Sequence, residues 1–77
     1  MIIKVRINTL DKVKDFVNIV SKYSSEADLS CERYTVDAKS ILGILSLNLI
    51  KDLTLTLKGS DNLENENMLN NLESFLI

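Results

Sequence analysis

The chain has 77 residues, 45% of them hydrophobic and 26% charged, and its formal net charge is −2. This length suits one small domain over residues 1–77, whose core would stabilise it only marginally. The near balance of charge and the lack of a basic cluster exclude most nucleic-acid binders, because phosphate backbones select basic stripes. The chain has no histidine, so the usual general base and the commonest metal ligand are missing. We expect no metal, no cofactor and no enzymatic activity.

The single cysteine and the hydropathy pattern indicate where the protein works. Cys31 excludes an intramolecular disulfide and suits a reducing compartment, and its apolar strand position favours a buried thiol over a reactive one. The N-terminal apolar run is too short for a signal peptide. No uncharged apolar run approaches the roughly 20 residues that span a bilayer. The pattern predicts a cytoplasmic protein without a membrane association.

The first 22 residues predict a strand and a helix. A period-2 alternation indicates a half-buried strand, with an apolar face made by Ile3, Val5 and Ile7. Asn8 and Thr9 then offer N-cap side chains for an amphipathic helix that ends near Ser21 and Lys22. The apolar positions of this helix are Leu10, Val13, Phe16, Val17 and Val20.

The middle of the chain predicts a hairpin and a short helix. Residues 27–31 and 33–36 form two short strands that meet around Glu32, and Ser40 is the N-cap of the helix that follows. At about 100° per residue the apolar side chains of this helix fall into two sectors, and a short helix cannot bury both. One sector therefore faces solvent or a partner. The first sector contains Ile41, Leu42 and Leu45, and the second contains Ile44 and Leu47.

The last third predicts a connection at residues 48–52, a strand at 53–57, a turn at 59–62 and a helix. Asp61 and Glu64 have the spacing of a capping box. The apolar side of the helix is predicted to contain Leu63, Met68, Leu69, Leu72, Phe75 and Leu76, and its asparagines (62, 65, 67, 70 and 71) a solvated face. The element order is β-α-β-β-α-β-α, and the alternating strands indicate an antiparallel sheet covered on one face. The fold class is α+β, a two-layer open sandwich.

The element order, the length and the run from Lys39 to Leu47 (KSILGILSL) resemble HPr, the histidine-containing phosphocarrier of the bacterial sugar phosphotransferase system. In that family, a run of the form Lys-Ser-Ile/Leu-Met/Leu-X-Val/Leu-Met/Leu-Ser/Thr-Leu begins the second helix. Ser21-Lys22-Tyr23 and residues 53–57 are similar to further family segments, so the resemblance covers nearly the whole chain. It implies a four-stranded antiparallel sheet under three helices.

The resemblance also implies two functional sites, of which the first does not map onto this chain. The family's Gly-Ile/Leu-His-Ala/Thr-Arg-Pro-Ala motif carries the phosphohistidine. Thr9 occupies the histidine position, Asp11 the arginine position and Lys12 the proline position. A carboxylate would repel phosphate where the family's arginine helps to hold it. The resemblance therefore implies a divergent member that is not competent as a phosphohistidine carrier.

The second site maps onto Ser40, the serine that a regulatory kinase phosphorylates in Gram-positive relatives. Ser40 is either an N-cap alone or a regulatory phosphorylation site, where phosphate would meet the free N–H groups of the helix start. The resemblance places Ile41, Leu42 and Leu45 on the partner-binding surface and Ile44 and Leu47 in the core.

Several functions remain open on the sequence. The first is regulation through a protein partner of phosphotransferase or carbon-control type, by a monomer or weak homo-oligomer. The second is a structural module that associates with itself through the same apolar residues, which the connection at residues 48–52 could instead cover. The remaining alternatives are residual phosphotransfer through Thr9 or Ser40 and a non-functional paralogue of a phosphocarrier.

Overall fold

Four strands form one antiparallel sheet in the computed structural model, which describes residues 1–77. The strands are β1 (Ile2–Val5), β2 (Ala27–Cys31), β3 (Tyr34–Asp37) and β4 (Leu53–Leu57). Their order across the sheet is β1-β4-β2-β3, so β1 and β3 are the edges. The helices are α1 (Leu10–Val20), α2 (Ile41–Leu45) and α3 (Asn62–Asn71), followed by a 3₁₀ turn at Glu73–Phe75. The predicted α+β open sandwich is confirmed, and no helix has the length and apolar character needed to cross a membrane.

The core lies on one face of the sheet, as the period-2 alternation predicts. In β4 the three leucines are buried while Thr54 and Thr56 are half-exposed, and β2 alternates in the same way and buries Cys31. Helix α1 covers this face with Val13, Phe16, Val17 and Val20. The ring of Phe16 packs edge-on against Phe75 with centroids 5.6 Å apart, a favourable aromatic geometry. Leu10, by contrast, is exposed, because it occupies the first position of the helix, beyond the covered sheet.

The β2–β3 hairpin differs by one residue from the prediction. Cys31 pairs with Tyr34, so Glu32 and Arg33 form a two-residue turn and β3 runs over Tyr34–Asp37 instead of 33–36. Glu32 has a φ of 56°, the only positive φ in the chain. Short hairpin turns require such a conformation in order to match the twist of their strands. Arg33 therefore belongs to the turn and not to the strand.

The predicted apolar side of the last helix is partly wrong. Helix α3 buries Asn65 and Met68, while Leu63 is 69% exposed. The side chain of Asn65 donates through Nδ2 to the Gly59 carbonyl at 3.0 Å, and this bond fixes the helix face that turns inward. Leu63 lies two residues earlier, about 200° around the helix from Asn65. The prediction of a fully solvated asparagine face is wrong at Asn65 for the same reason.

The chain end covers the β1 edge of the sheet. After the 3₁₀ turn the backbone is extended, and Leu76 forms an antiparallel bridge with Val5 instead of continuing the helix. Arg6 N–H donates to the Phe75 carbonyl at 2.8 Å, and Ile77 N–H donates to the Lys4 carbonyl at 3.3 Å. The C-terminal residues therefore cover the Val5 end of this edge.

Candidate functional site

Ser40 begins helix α2 as its N-cap. Its backbone is extended, with φ −104° and ψ 108°, and its Oγ accepts a hydrogen bond from the Gly43 N–H at 3.1 Å. This is the geometry in which a serine satisfies one of the unpaired donors at a helix start. The neighbouring Lys39 extends in another direction, because its Nζ donates to the Tyr23 carbonyl at 2.7 Å. Lys39 thereby ties the start of α2 to the end of α1.

Helix α2 divides its apolar residues between core and solvent. Ile44 is fully buried and Leu47, just after the helix, is 7% exposed. Leu42 is 82% exposed, and Ile41 and Leu45 are 38% and 43% exposed. We call Ile41, Leu42 and Leu45 the α2 surface. The two sectors that the sequence distinguishes therefore face opposite ways, and the inward one contains Ile44 and Leu47.

Gly43 explains how closely this short helix lies on the sheet. A Cβ atom at Gly43 would lie 3.1 Å from the Val36 Cβ and 3.2 Å from the Ser40 Oγ. The helix backbone therefore rests directly on β3, and its cap closes over the same position. With the inward side filled by the sheet, the side chains of the α2 surface can only point outward.

The connection after α2 does not cover the α2 surface. Ile50, at its centre, is itself 88% exposed, and Leu42 remains largely accessible. The next residue, Lys51, forms an ion pair with Glu32 at the tip of the β2–β3 hairpin, which holds the connection against the hairpin. This pairing lowers the pKa of Glu32, first through the hydrogen bond from Lys51 and then through its charge. The alternative that the connection at residues 48–52 covers the apolar side chains of the α2 surface is therefore wrong.

The start of α1 places Thr9 and Asp11 on exposed surface. Thr9 is the N-cap, and its Oγ1 accepts a hydrogen bond from the Lys12 N–H at 3.2 Å. Asp11 is exposed in the first turn, where its carboxylate would oppose a second anion. The capping role predicted for Thr9 is confirmed.

Both helix starts lie on open surface, because the structure contains no pocket. No group of three or more histidine, cysteine or carboxylate side chains is arranged to hold a metal ion. Exposed apolar surface is found at protein–protein contact sites.

The fold and the α2 surface define a protein of the HPr class, and comparison with known proteins gives the family. The family model PTS-HPr, described as the PTS HPr component phosphorylation site, matches residues 12–77. The chain therefore belongs to the HPr family. The matched region begins just after Thr9 and Asp11. A comparison with curated proteins found no match.

Three solved structures illustrate the relationship. HPr-C-His from Thermoanaerobacter tengcongensis is 28% identical, with a TM-score of 0.75 over 94% of this chain and 89% of that one. An HPr dimer from the same organism is 31% identical, with a TM-score of 0.64 over 80% and 74% of the two chains. Crh, a catabolite repression protein of Bacillus subtilis described as a swapped dimer, is 22% identical, with a TM-score of 0.67 over 95% and 87%. At 22% identity, the likeness to Crh shows a shared fold.

Proposed function

We propose that this chain is a regulatory member of the HPr family that binds a protein partner through the α2 surface in the bacterial cytoplasm. The observation that carries the proposal is the exposure of Leu42, 82%, beside two further half-exposed apolar side chains and a capping serine. Exposed apolar surface of this kind marks interaction sites in soluble proteins. The partner is a protein of the phosphotransferase or carbon-control type.

The proposal includes the loss of phosphohistidine transfer. A phosphohistidine needs an imidazole nitrogen, and the chain has no histidine. Incubation with phosphoenolpyruvate and enzyme I of a phosphotransferase system should leave the protein unlabelled. Label on Thr9 or Ser40 would refute this part, and Thr9→Ala and Ser40→Ala proteins would show which hydroxyl accepted it.

Regulation is proposed to act through phosphorylation of Ser40. A phosphate there adds about two negative charges directly before Ile41, so it would penalise an acidic or apolar partner and favour a basic one. Incubation with ATP and an HPr kinase should add one phosphate to the wild type and none to Ser40→Ala. Ser46→Ala is the matched control, since Ser46 lies at the other end of α2. Labelling of Ser40→Ala would refute the assignment.

A charge on the α2 surface should abolish partner binding. Leu42→Glu removes the most exposed apolar side chain of this surface, and burial of a leucine contributes about 1.5–3 kcal/mol. The expected loss of affinity for enzyme I or a carbon-control protein is therefore about tenfold to a hundredfold, measured by calorimetric titration. Leu63→Glu is the matched control, because Leu63 is 69% exposed on α3. Equal losses in both variants would refute a specific α2 site.

A further inference from the structure

The two edge strands of the sheet differ in what covers them. The β1 edge is covered at its Val5 end by the bridge between Val5 and Leu76. The β3 edge pairs only with β2 and has no strand beyond it. Exposed strand edges are templates for another strand, and proteins usually block them with proline, lysine or a covering segment. β3 (YTVD) has neither proline nor lysine, and its Tyr34 is 69% exposed.

The hydrogen bonds of β3 show which backbone groups are available. The Ala38 N–H donates to the Ala27 carbonyl at 2.9 Å. Ala27 and Ala38 are therefore a hydrogen-bonded pair of the ladder. Bonded and non-bonded pairs alternate along an antiparallel ladder. Val36 and Tyr34 therefore direct their backbone groups toward β2, and Thr35 directs its N–H and its carbonyl away from the sheet. Thr35 is the centre of the open edge.

We propose that β3 pairs with β3 of a second copy of this chain, antiparallel about a two-fold axis at Thr35. The two Thr35 residues would then exchange both of their backbone hydrogen bonds. In this register Tyr34 lies opposite Val36 of the other copy, and Arg33 lies opposite Asp37. Threonine–threonine, aromatic–β-branched and opposite-charge pairs are the cross-strand pairs that stabilise antiparallel sheets. The segment is complementary to itself at every position, and the sheets would join into one of eight strands.

The charges within one copy favour the same contact. Asp37 lies directly opposite Asp28 on β2, and like charges in this position repel. Lys58 pairs with Asp28 at 2.8 Å, while Asp37 accepts only the Lys39 backbone N–H at 2.9 Å. Arg33 takes part in none of the three ion pairs of the chain. The second copy would therefore bring an unpaired arginine to a carboxylate that makes none of the three ion pairs, although Lys58 lies near enough to interact with it.

This contact goes beyond the proposed function and does not use the α2 surface. A strand of four residues buries less than the roughly 1,200 Å² of a stable interface, so we expect a weak dimer that forms at high concentration. The specificity of the dimer comes from the strand register and from the two Arg33–Asp37 pairs. The charges of these pairs can be reversed by substitution without changing the fold.

Sedimentation equilibrium at up to about 1 mM protein tests the contact through complementary charge variants. Arg33→Asp and Asp37→Arg each place like charges opposite one another, and each should weaken self-association about tenfold. A mixture of the two variants restores opposite charges at both sites, so it should form a heterodimer of wild-type affinity. Thr35→Pro should remain folded and monomeric, because it removes only the outward N–H, and proline is tolerated at such edge positions.

Leu42→Glu separates this dimer from association through the α2 surface and should dimerise like the wild type. The inference is overturned if the wild type stays monomeric over the whole range or if Arg33→Asp dimerises unchanged. A mixture of charge variants that does not associate, or loss of the dimer in Leu42→Glu alone, overturns it equally.

Discussion

Gly59 is the position where a single methyl group should perturb the fold most sharply. A Cβ atom there would lie 2.7 Å from the Ser25 Cβ and closer still to its hydroxyl. Ser25 cannot move freely, because its backbone N–H donates to Glu64 at 2.7 Å and its hydroxyl donates to the same carboxylate. Gly59→Ala must therefore displace the α1–β2 connection or the turn before α3.

The magnitude follows from the kind of atom that must move. Added methyl groups in packed sites cost about 1–3 kcal/mol, and contact with a Cβ atom close to the backbone places Gly59→Ala in the upper part of this range. For a domain of this size, about 2 kcal/mol lowers the melting temperature by roughly 8–16 °C. Thermal and urea unfolding followed by circular dichroism measure both quantities.

Two variants distinguish steric conflict from a general effect of alanine. Ser25→Gly removes both atoms that the new methyl group meets, so the double variant should be less destabilised than the sum of the single variants. Gly43→Ala is the comparison variant, because its new Cβ atom would meet Val36 at 3.1 Å instead of 2.7 Å and the preference of alanine for a helix, about 1 kcal/mol, offsets part of that strain; it should be less destabilising than Gly59→Ala. If Gly59→Ala melts within 2 °C of the wild type, or if Ser25→Gly gives no relief, the reasoning is wrong.

Two other features of the fold give measurable expectations. Ser40→Ala and Thr9→Ala should each lower the free energy of unfolding by about 1 kcal/mol, because each removes an N-cap hydrogen bond. Urea unfolding at neutral pH measures this change. A Ser40→Ala protein as stable as the wild type would contradict the prediction. The Ser25 hydroxyl and backbone N–H, with a smaller effect of Ser24, hold the pKa of Glu64 below its ordinary value of 4.5. This stabilisation is present above pH 4.5 and is lost as the pH falls through the lowered pKa. Glu64→Gln should therefore lose less stability on acidification than the wild type. Identical curves of unfolding free energy against pH for the two proteins would contradict this prediction.

The α2 region shows how far local pattern can predict structure. The apolar residues after Ser40 separate into two sectors by helix geometry alone, but the geometry does not say which sector is inward. The family resemblance supplied the direction, and the burial of Ile44 and Leu47 agrees with it. The direction has a tertiary cause, the close approach of Gly43 to Val36, and periodicity within one helix contains no information about it.

The end of the chain shows where such reasoning fails. An apolar Leu63 and a polar Asn65 predict the reverse of the burial that is observed. The burial accompanies a contact with the Gly59 carbonyl six residues away, which satisfies the Asn65 Nδ2, while its Oδ1 is buried without a partner. Likewise, Leu76 continues the helical spacing but pairs with Val5 instead, because the open β1 edge offers backbone partners that a longer helix would leave unused.

The two helix caps, at Ser40 and Thr9, have similar geometry but different charges in the helix turn that follows. Both hydroxyls accept a hydrogen bond from the N–H three residues later, at 3.1 Å for Ser40 and 3.2 Å for Thr9. Their charge environments differ, because α1 has Asp11 in its first turn and α2 has no acidic residue there. A dianion at Thr9 would face the Asp11 carboxylate in the first turn of its own helix, whereas the carboxylate nearest to Ser40 in sequence, Asp37, lies before α2 and accepts the Lys39 N–H. The two caps therefore share one geometry, and the proposed phosphorylation of Ser40 rests on the lack of a carboxylate in the first turn of α2.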